Sequence, residues 1–177
     1  MRSIFVLITM LWSSHLFSQE VPEIPIIDGI VEYSEVIESN GTKSELYSNA
    51  KTWAANFFRS AKDAISLDDS ENGRLIAKYN SYPSFSYLGQ KRTAEVRMSI
   101  QVDCKDGRYR YIVRVLDYYH NKTPQDIGEL MDLADGKKKS LTNNKGYAKK
   151  QLTGIIGSVN TLITSLKYGM NSKDNDF

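Results

Sequence analysis

The fold is decided by residues 93–119, TAEVRMSIQVDCKDGRYRYIVRVLDYY. Apolar and polar residues alternate strictly from Thr93 to Lys105, which predicts a strand with one buried face. Asp106-Gly107 is a favoured two-residue hairpin turn. Residues 108–119 return as the partner strand, so the stretch predicts a long antiparallel hairpin.

The turn also predicts the register of this hairpin. With a two-residue loop, every apolar residue of the first strand faces an apolar residue of the second, and a slip by one residue would lose this match. On the opposite face Asp103 is expected to face Arg110, which is an opposite-charge cross-strand pair. Glu95 is expected to face Tyr118, which leaves Arg97 without an acidic partner in register.

A strand and a helix are predicted upstream of the hairpin. Residues 30–38 alternate loosely and predict a first strand. Thr42 and Glu45 form a capping box, in which each side chain can satisfy the backbone amide of the other residue. Behind it, apolar residues recur at steps of four and three, which predicts a long amphipathic helix. These residues are Leu46, Ala50, Trp53, Ala54, Phe57, Phe58 and Ala61.

Two more strands are predicted between that helix and the hairpin. Residues 63–69 and 74–82 read as strands, with Asn72-Gly73 as the turn that joins them. Residues 83–90 are expected to be an aromatic connection.

Two helices are predicted after the hairpin. A short helix is expected with Pro124 at its first position. A second long helix begins at Tyr147, and Gly169 suits its C-terminal cap. Gly154 and Gly157 are expected to allow close approach of its backbone to the sheet.

This order of elements predicts an α+β two-layer sandwich. The antiparallel sheet is expected to have about five strands, with two long helices packed on one face. At 177 residues the chain is long enough for one domain with its own core. We expect a signal peptide at 1–18, an extended lead-in at 19–29, a single domain at 30–170 and a polar tail at 171–177.

The N-terminus predicts export. Met1-Arg2 is a short positive start, and the apolar run from Ile4 to Trp12 is too short for a membrane span. Cleavage after Ser18 takes away Arg2 and no acidic residue, so the formal net charge falls from +2 to +1. We therefore expect a periplasmic or extracellular protein with no membrane span after signal removal. A near-neutral charge also lacks the electrostatic footprint of a nucleic-acid binder.

The residues that could carry chemistry are few. The chain has one cysteine, Cys104, and export would leave His120 as the one histidine, so they cannot supply the three or four ligands of a zinc site. Cys104 is expected to be buried and His120 exposed at a strand end. Glu32, Glu35 and Glu95 are candidate carboxylates for glycoside hydrolysis, but no spacing marks two of them as a pair. We predict no cofactor and no metal.

The outward face of the hairpin is a candidate binding surface. A solvated face would rarely combine three arginines with two aliphatic residues and a tyrosine, a mixture typical of interface centres. The alternative is that the arginine stems, or the C-terminal segment, merely cover this apolar area. The residues are Arg97, Arg110, Ile112, Arg114, Leu116 and Tyr118. Unpaired Arg97 and Arg114 would suit an acidic or aromatic partner surface.

A second candidate surface consists of aromatic residues in, or next to, the connection at 83–90. Tyr82, Phe85 and Tyr87 could stack on a ligand. The alternative is that these rings pack over the edge of a helix.

The sequence resembles a secreted family of unknown function, common in Bacteroidetes, with a fold like that of TATA-box-binding protein (TBP). The resemblance covers roughly residues 30–119. It rests on the signal peptide, the 41–47 segment GTKSELY, Trp53, the 73–76 segment GRLI and the 105–110 segment KDGRYR. It implies a TBP-like fold and an exported location, and it brings no known chemistry. A shared shape with a DNA-binding protein does not transfer DNA binding.

From these observations we predict an exported, non-catalytic binding module for an envelope protein or another envelope component. Two alternatives stay open: a carboxylate-dependent glycan hydrolase, and a carrier with an apolar cleft for a small ligand between helix and sheet.

Overall fold

The computed structural model describes residues 24–28, 30–140 and 144–171. The predicted signal peptide at 1–18 and the polar tail from 172 onward lie outside the described residues. Within the described ranges, no helix has the length and apolar character needed to span a membrane.

The described residues form strands and helices in an order close to the predicted one. The strands are β1 (Ile26–Ile27), β2 (Ile30–Glu38), β3 (Ile65–Asp69), β4 (Arg74–Ser81), β5 (Ser84–Tyr87), β6 (Gln90–Lys105), β7 (Arg108–His120) and β8 (Thr123–Pro124). The helices are α1 (Lys43–Phe57), α2 (Ala61–Ala64), α3 (Ile127–Asp135) and α4 (Lys145–Asn171).

The sheet is antiparallel throughout, with strand order β1-β2-β7-β6-β4-β3. The short strand β5 pairs with β6, and β8 pairs with β7. The predicted α+β class is confirmed. The sheet of the described residues has eight strands rather than about five, because three strands of two to four residues pair onto the longer ones.

The central hairpin of β6 and β7 has the predicted register near its turn. Asp103 faces Arg110, and the match continues as far as Met98 opposite Val115. Between Arg97 and Met98 the register then shifts at a bulge. A bulge adds one residue to one strand, so the side chains beyond it change faces.

The bulge corrects two expectations about the outward face. Val96, and not Glu95, is opposite Tyr118, and Tyr118 is 1% exposed on the buried side of the sheet. Asp117 is opposite Arg97, so Arg97 has an acidic residue in register.

Helices α1 and α4 cover one face of the sheet, which we call the inner face. The capping box of Thr42 and Glu45 is formed at the start of α1. Trp53 lies in the middle of the buried stripe of α1, 4% exposed, and its indole Nε1 donates to Ser165 Oγ on α4 at 3.0 Å. The inner-face residues of β6 complete this core: Ala94, Val96, Met98, Ile100, Val102 and Cys104.

Four local expectations are wrong. Gly157 is not a point of close approach to the sheet, because an added Cβ there would meet no atom within 4 Å. The aromatic connection at 83–90 is instead the hairpin of β5 and the start of β6. Pro124 lies in β8, and the short helix begins later, at Ile127, with Asp126 as its N-cap. Gly169 is inside α4 rather than at its cap, where an added Cβ would lie 2.7 Å from Trp53 Cβ. Its physical role is close approach of α4 to α1.

Candidate functional site

The outer face of the sheet, opposite α1 and α4, is one candidate site. On β6 the inner-face residues are buried, whereas outward residues such as Ser99 and Gln101 stay partly exposed. Large apolar side chains are also exposed on this face, including Leu67 at 40% and Val36 at 55%. Exposed apolar groups on one open face are typical of interaction surfaces.

The strand registers place an uncharged strip across the outer face. Leu67 pairs with Ile76, and Ile76 pairs with Gln101. Gln101 pairs with Ile112, and Ile112 pairs with Ser34. At about 4.8 Å between neighbouring strands, these five residues span about 19 Å. We call them the uncharged strip.

A charged row borders the strip on the side of the hairpin turn. Asp103 sits at its centre and is bound from both sides, by Arg74 Nε at 2.6 Å and by Arg110 Nη2 at 2.7 Å. Gln101 Nε2 also donates to this carboxylate at 2.9 Å. Burial raises the pKa of Asp103, but these hydrogen bonds outweigh it, so the pKa is lowered and the carboxylate stays ionised.

A second charged row borders the strip on the other side. Lys78 pairs with Ser99, Ser99 with Arg114, and Arg114 with Glu32. Arg114 Nε donates to the Glu32 carboxylate at 2.7 Å. Each border of the strip therefore carries both signs of charge.

The structure places the predicted binding residues on both faces. Arg97, Arg110 and Arg114 lie on the outer face, but each is in an ion pair, so the expectation of unpaired arginines is wrong. Arg97 bonds to Glu95 of its own strand at 2.7 Å, since the two residues are only two positions apart.

The apolar members of the predicted set divide in the same way. Ile112 and Leu116 also lie on the outer face, 8% and 46% exposed. Arg110 and Arg114 flank Ile112 on the same face of β7, and long arginine stems can cover such apolar area. Tyr118 is on the inner face, where its hydroxyl donates to Gln151 Oε1 at 2.9 Å. Tyr118 therefore cannot contribute to an outer surface.

A second candidate site is a cavity of about 530 Å³ at the far end of the central hairpin. It lies between the β5–β6 turn, the β7–β8 turn and the first turns of α4. We call it the Arg92 cavity, because Arg92 is the charged residue among those that line it. Amide side chains of Gln90, Asn121 and Gln125 also line the wall. None of these four side chains is expected from the sequence to bind a ligand.

Aromatic rings and hydrogen bonds fix the wall of this cavity. The Tyr147 hydroxyl lies 2.6 Å from His120 Nε2, and the ring centroids of Tyr87 and Tyr147 are 4.5 Å apart. Asn144 bonds to the Tyr87 hydroxyl with its amide and caps α4 by accepting from Tyr147 N at 3.0 Å. Phe85 packs against both His120 and Tyr147. The rings of Phe85 and Tyr87 thus pack over the start of a helix, while Tyr82 is 61% exposed.

His120 is buried rather than exposed, which corrects the sequence expectation. Its side chain is 9% exposed, and within the described part of the chain its Nδ1 has no hydrogen-bond partner. Burial, and then the nearby charge of Arg92, lower the pKa of His120. The ring is therefore neutral at pH 7.

Strained turns flank the Arg92 cavity. Leu88, Asn121 and Lys122 have φ of 49°, 51° and 63°, in the left-handed region that side chains rarely adopt. Consecutive positive φ values give the two-residue hairpin turns of type I′ that connect β5 to β6 and β7 to β8. Such strain persists where the surrounding structure over-determines it, often beside ligand sites.

The candidates for catalysis are buried or lie in ion pairs. Cys104 is 1% exposed, as predicted, and burial raises the pKa of its thiol to about 12. Glu32, Glu35 and Glu95 bond to Arg114, Lys167 and Arg97 in that order. No carboxylate is among the residues that line the Arg92 cavity. Within the described ranges, no group of three acidic, histidine or cysteine residues could hold a metal.

Comparisons with known proteins agree with this architecture. Residues 33–119 match the model of a family described as a domain of unknown function (DUF4468) with TBP-like fold. No curated protein matches the chain.

Two solved structures share the fold. A DUF4468 family protein from Bacteroides ovatus ATCC 8483 has a TM-score of 0.66 at 18% identity, over 87% of this chain and 94% of that one. A TBP-like protein from Parabacteroides distasonis ATCC 8503 has a TM-score of 0.67 at 14% identity, over 85% of this chain and 99% of that one. Identities this low show the fold alone, and the predicted resemblance is confirmed.

Proposed function

We propose that this chain, which resembles the DUF4468 family over residues 33–119 and has its TBP-like fold, is an exported, non-catalytic binding module. Its partner would be a protein of the cell envelope, held on the outer face of the sheet. The uncharged strip between two charged rows is the observation that carries the proposal.

The strip has the anatomy of an interface. Protein interfaces have an apolar centre depleted of charge and a polar rim. Here Leu67 and Ile76 supply exposed or partly exposed apolar surface, Ile112 is 8% exposed, and the rows of Asp103 and Arg114 supply the rim. The partner that fits is a ridge of uncharged side chains about 19 Å long, with charges of both signs on either side.

The balance of charge on this face favours a protein over a nucleic acid. Arg74 and Arg110 share the Asp103 carboxylate and Arg114 pairs with Glu32, so each of these three arginines is already held in an ion pair. A polyanion needs many unpaired cations to displace its counterions. Rows with both signs instead discriminate between protein partners, because a wrong alignment places like charges together.

The proposal of export is supported by the N-terminal sequence. Met1-Arg2, the apolar run from Ile4 to Trp12 and the polar exit at Ser18 are typical of a signal peptide. N-terminal sequencing of the protein recovered outside the cytoplasm should give Gln19 as its first residue. An intact Met1 would contradict export by this route.

The experiment for the binding role is a comparison of charge insertions. Leu67→Lys and Ile76→Lys place a charge in the strip at partly exposed positions, and Tyr168→Lys does the same on α4, where Tyr168 is 81% exposed. The variants would be immobilised and exposed to solubilised envelope from the native organism. We expect one envelope protein to be captured by wild type and by Tyr168→Lys. The amount captured should fall about tenfold or more with each of the two strip variants. Equal capture by all four proteins would contradict the proposal.

A further inference from the structure

We propose that the Arg92 cavity binds a small sugar acid, a pyranose-sized ring that carries one carboxylate. This site lies away from the outer face and does not depend on the function proposed for that face.

The charge of the cavity selects an anion. Arg92 is the charged residue in its lining, and no carboxylate of the described ranges lies within 4.0 Å of its guanidinium nitrogens. His120, the other titratable base in the wall, is neutral because of its burial. The cavity therefore presents one positive charge, and a guanidinium can bind a carboxylate through two parallel hydrogen bonds.

The remaining groups suit a hydroxylated ring. The amide of Asn121 can both donate to and accept from a hydroxyl. Gln90 Oε1 accepts from Arg92 Nη2 at 2.5 Å, so its Nε2 faces the ligand as a donor, and Gln125 Nε2 donates to Pro124 O at 3.0 Å, so its Oε1 serves as an acceptor. Tyr87 offers the apolar face of an aromatic ring beside them. A volume of about 530 Å³ lies within the range of small-molecule sites. A purely apolar ligand would take the remaining donors and acceptors of these side chains out of water without replacing those hydrogen bonds, which is costly.

The wall is rigid before any ligand arrives. Tyr147 is held by His120 at 2.6 Å, and the Tyr87 hydroxyl is held by Asn144. Gln151, which also lines the cavity, accepts a hydrogen bond from the Tyr118 hydroxyl at 2.9 Å. Groups fixed in this way lose little conformational freedom on binding, which favours a specific site.

The test is an NMR titration of the purified full chain with three probes. D-glucuronate carries the ring, the hydroxyls and the charge. Its methyl ester keeps the ring and hydroxyls without the charge, and benzoate keeps a ring and the charge without the hydroxyls. We expect glucuronate to shift the backbone amides of Tyr87 and Asn121 and to bind about tenfold or more tightly than either control probe, because a charge-assisted bond or several hydroxyl bonds are lost.

Arg92→Gln is the variant that isolates the charge, and Arg59→Gln, at an exposed position outside the cavity, is its matched control. Arg92→Gln should weaken glucuronate binding to the level of the methyl ester, with the spectrum of the unbound protein otherwise retained, whereas Arg59→Gln should leave binding unchanged. Four outcomes would each overturn the proposal: no binding of glucuronate, equal binding of the methyl ester, tighter binding of benzoate, or shifts that map outside the cavity.

Discussion

Replacement of Gly169 by alanine tests the contact between the two long helices. Helix propensity alone predicts that alanine stabilises the protein, whereas the packing predicts that it lowers the free energy of unfolding. In an exposed helix interior, alanine is more favourable than glycine by about 1 kcal/mol. At Gly169, however, the added Cβ would lie 2.7 Å from Trp53 Cβ and 2.9 Å from its Cγ. Carbon atoms pack at about 3.5–4.0 Å, so the two helices must separate.

The indole of Trp53 cannot move aside to relieve this clash. The contacted atoms are at the root of the side chain, and its ring is fixed by the hydrogen bond to Ser165 and by burial. Overpacking of this kind typically costs about 1–3 kcal/mol. Set against the propensity gain of about 1 kcal/mol, Gly169→Ala should lower the free energy of unfolding by about 1 kcal/mol.

Gly157→Ala is the matched control on the same helix. A Cβ at Gly157 would meet no atom within 4 Å, so this variant should raise the free energy of unfolding by about 1 kcal/mol. Urea titration followed by circular dichroism measures both changes, and equal m-values would show that the unfolding transitions are comparable. If Gly169→Ala stabilises the protein as much as Gly157→Ala does, the close packing of α4 on Trp53 is wrong.

Three further predictions concern buried polar groups. Tyr109→Phe should keep or raise the free energy of unfolding in urea, because the Tyr109 hydroxyl is buried without a partner in the described residues. Tyr118→Phe should lower the free energy of unfolding by about 1 kcal/mol, because its hydrogen bond to Gln151 is lost. A lower free energy of unfolding in both variants would contradict this. Cys104, with a thiol pKa of about 12, should resist alkylation at pH 8 until the protein is unfolded, and rapid labelling of the folded protein would refute its burial. Folding lowers the pKa of Asp103, so its ionised form stabilises the protein above about pH 4, and this contribution is lost as the pH falls through the lowered pKa. The difference in unfolding free energy between wild type and Asp103→Asn should therefore shrink in acid. A difference that stays constant from pH 7 to pH 3 would argue against the two arginine bonds.

The sequence predicted those parts of the fold that depend on local signals. The Asp106-Gly107 turn and the alternation beside it predicted the hairpin register as far as Met98, and the register is confirmed there. The capping box of Thr42 and Glu45 predicted the start of α1. In both cases residues close in sequence determine the geometry.

The parts that sequence reasoning missed depend on contacts between distant segments. The bulge beside Arg97 is not marked by a glycine or another turn residue in the sequence, so it was not predicted. It moves Tyr118 to the inner face. The turn at Leu88-Gly89 lacks the asparagine or aspartate typical of its type, so the β5 hairpin was not predicted. The sequence near Gly169 suggests a helix cap, because the contact with Trp53 that requires a glycine there depends on how α1 packs against α4.

Both candidate sites are assembled across strands, which explains how much of them could be predicted. Ile112 and the three arginines were identified on the outer face, because they lie on the predicted hairpin. The strip needs the pairing of β3, β4 and β2 with that hairpin, which no local pattern supplies. The Arg92 cavity joins two turns and the start of α4, so its amide side chains carried no signal in sequence.

The most direct measurement of the central claim is site-specific photo-crosslinking in the native organism. A photoreactive amino acid at Ile76 reports on the uncharged strip, and one at Tyr168 reports on the helical side of the protein. We expect a covalent adduct with one envelope protein from position 76, which is lost when Leu67→Lys is added, and no such adduct from position 168. An adduct from position 76 that survives Leu67→Lys, an equal adduct from position 168, or no adduct at position 76 would contradict it.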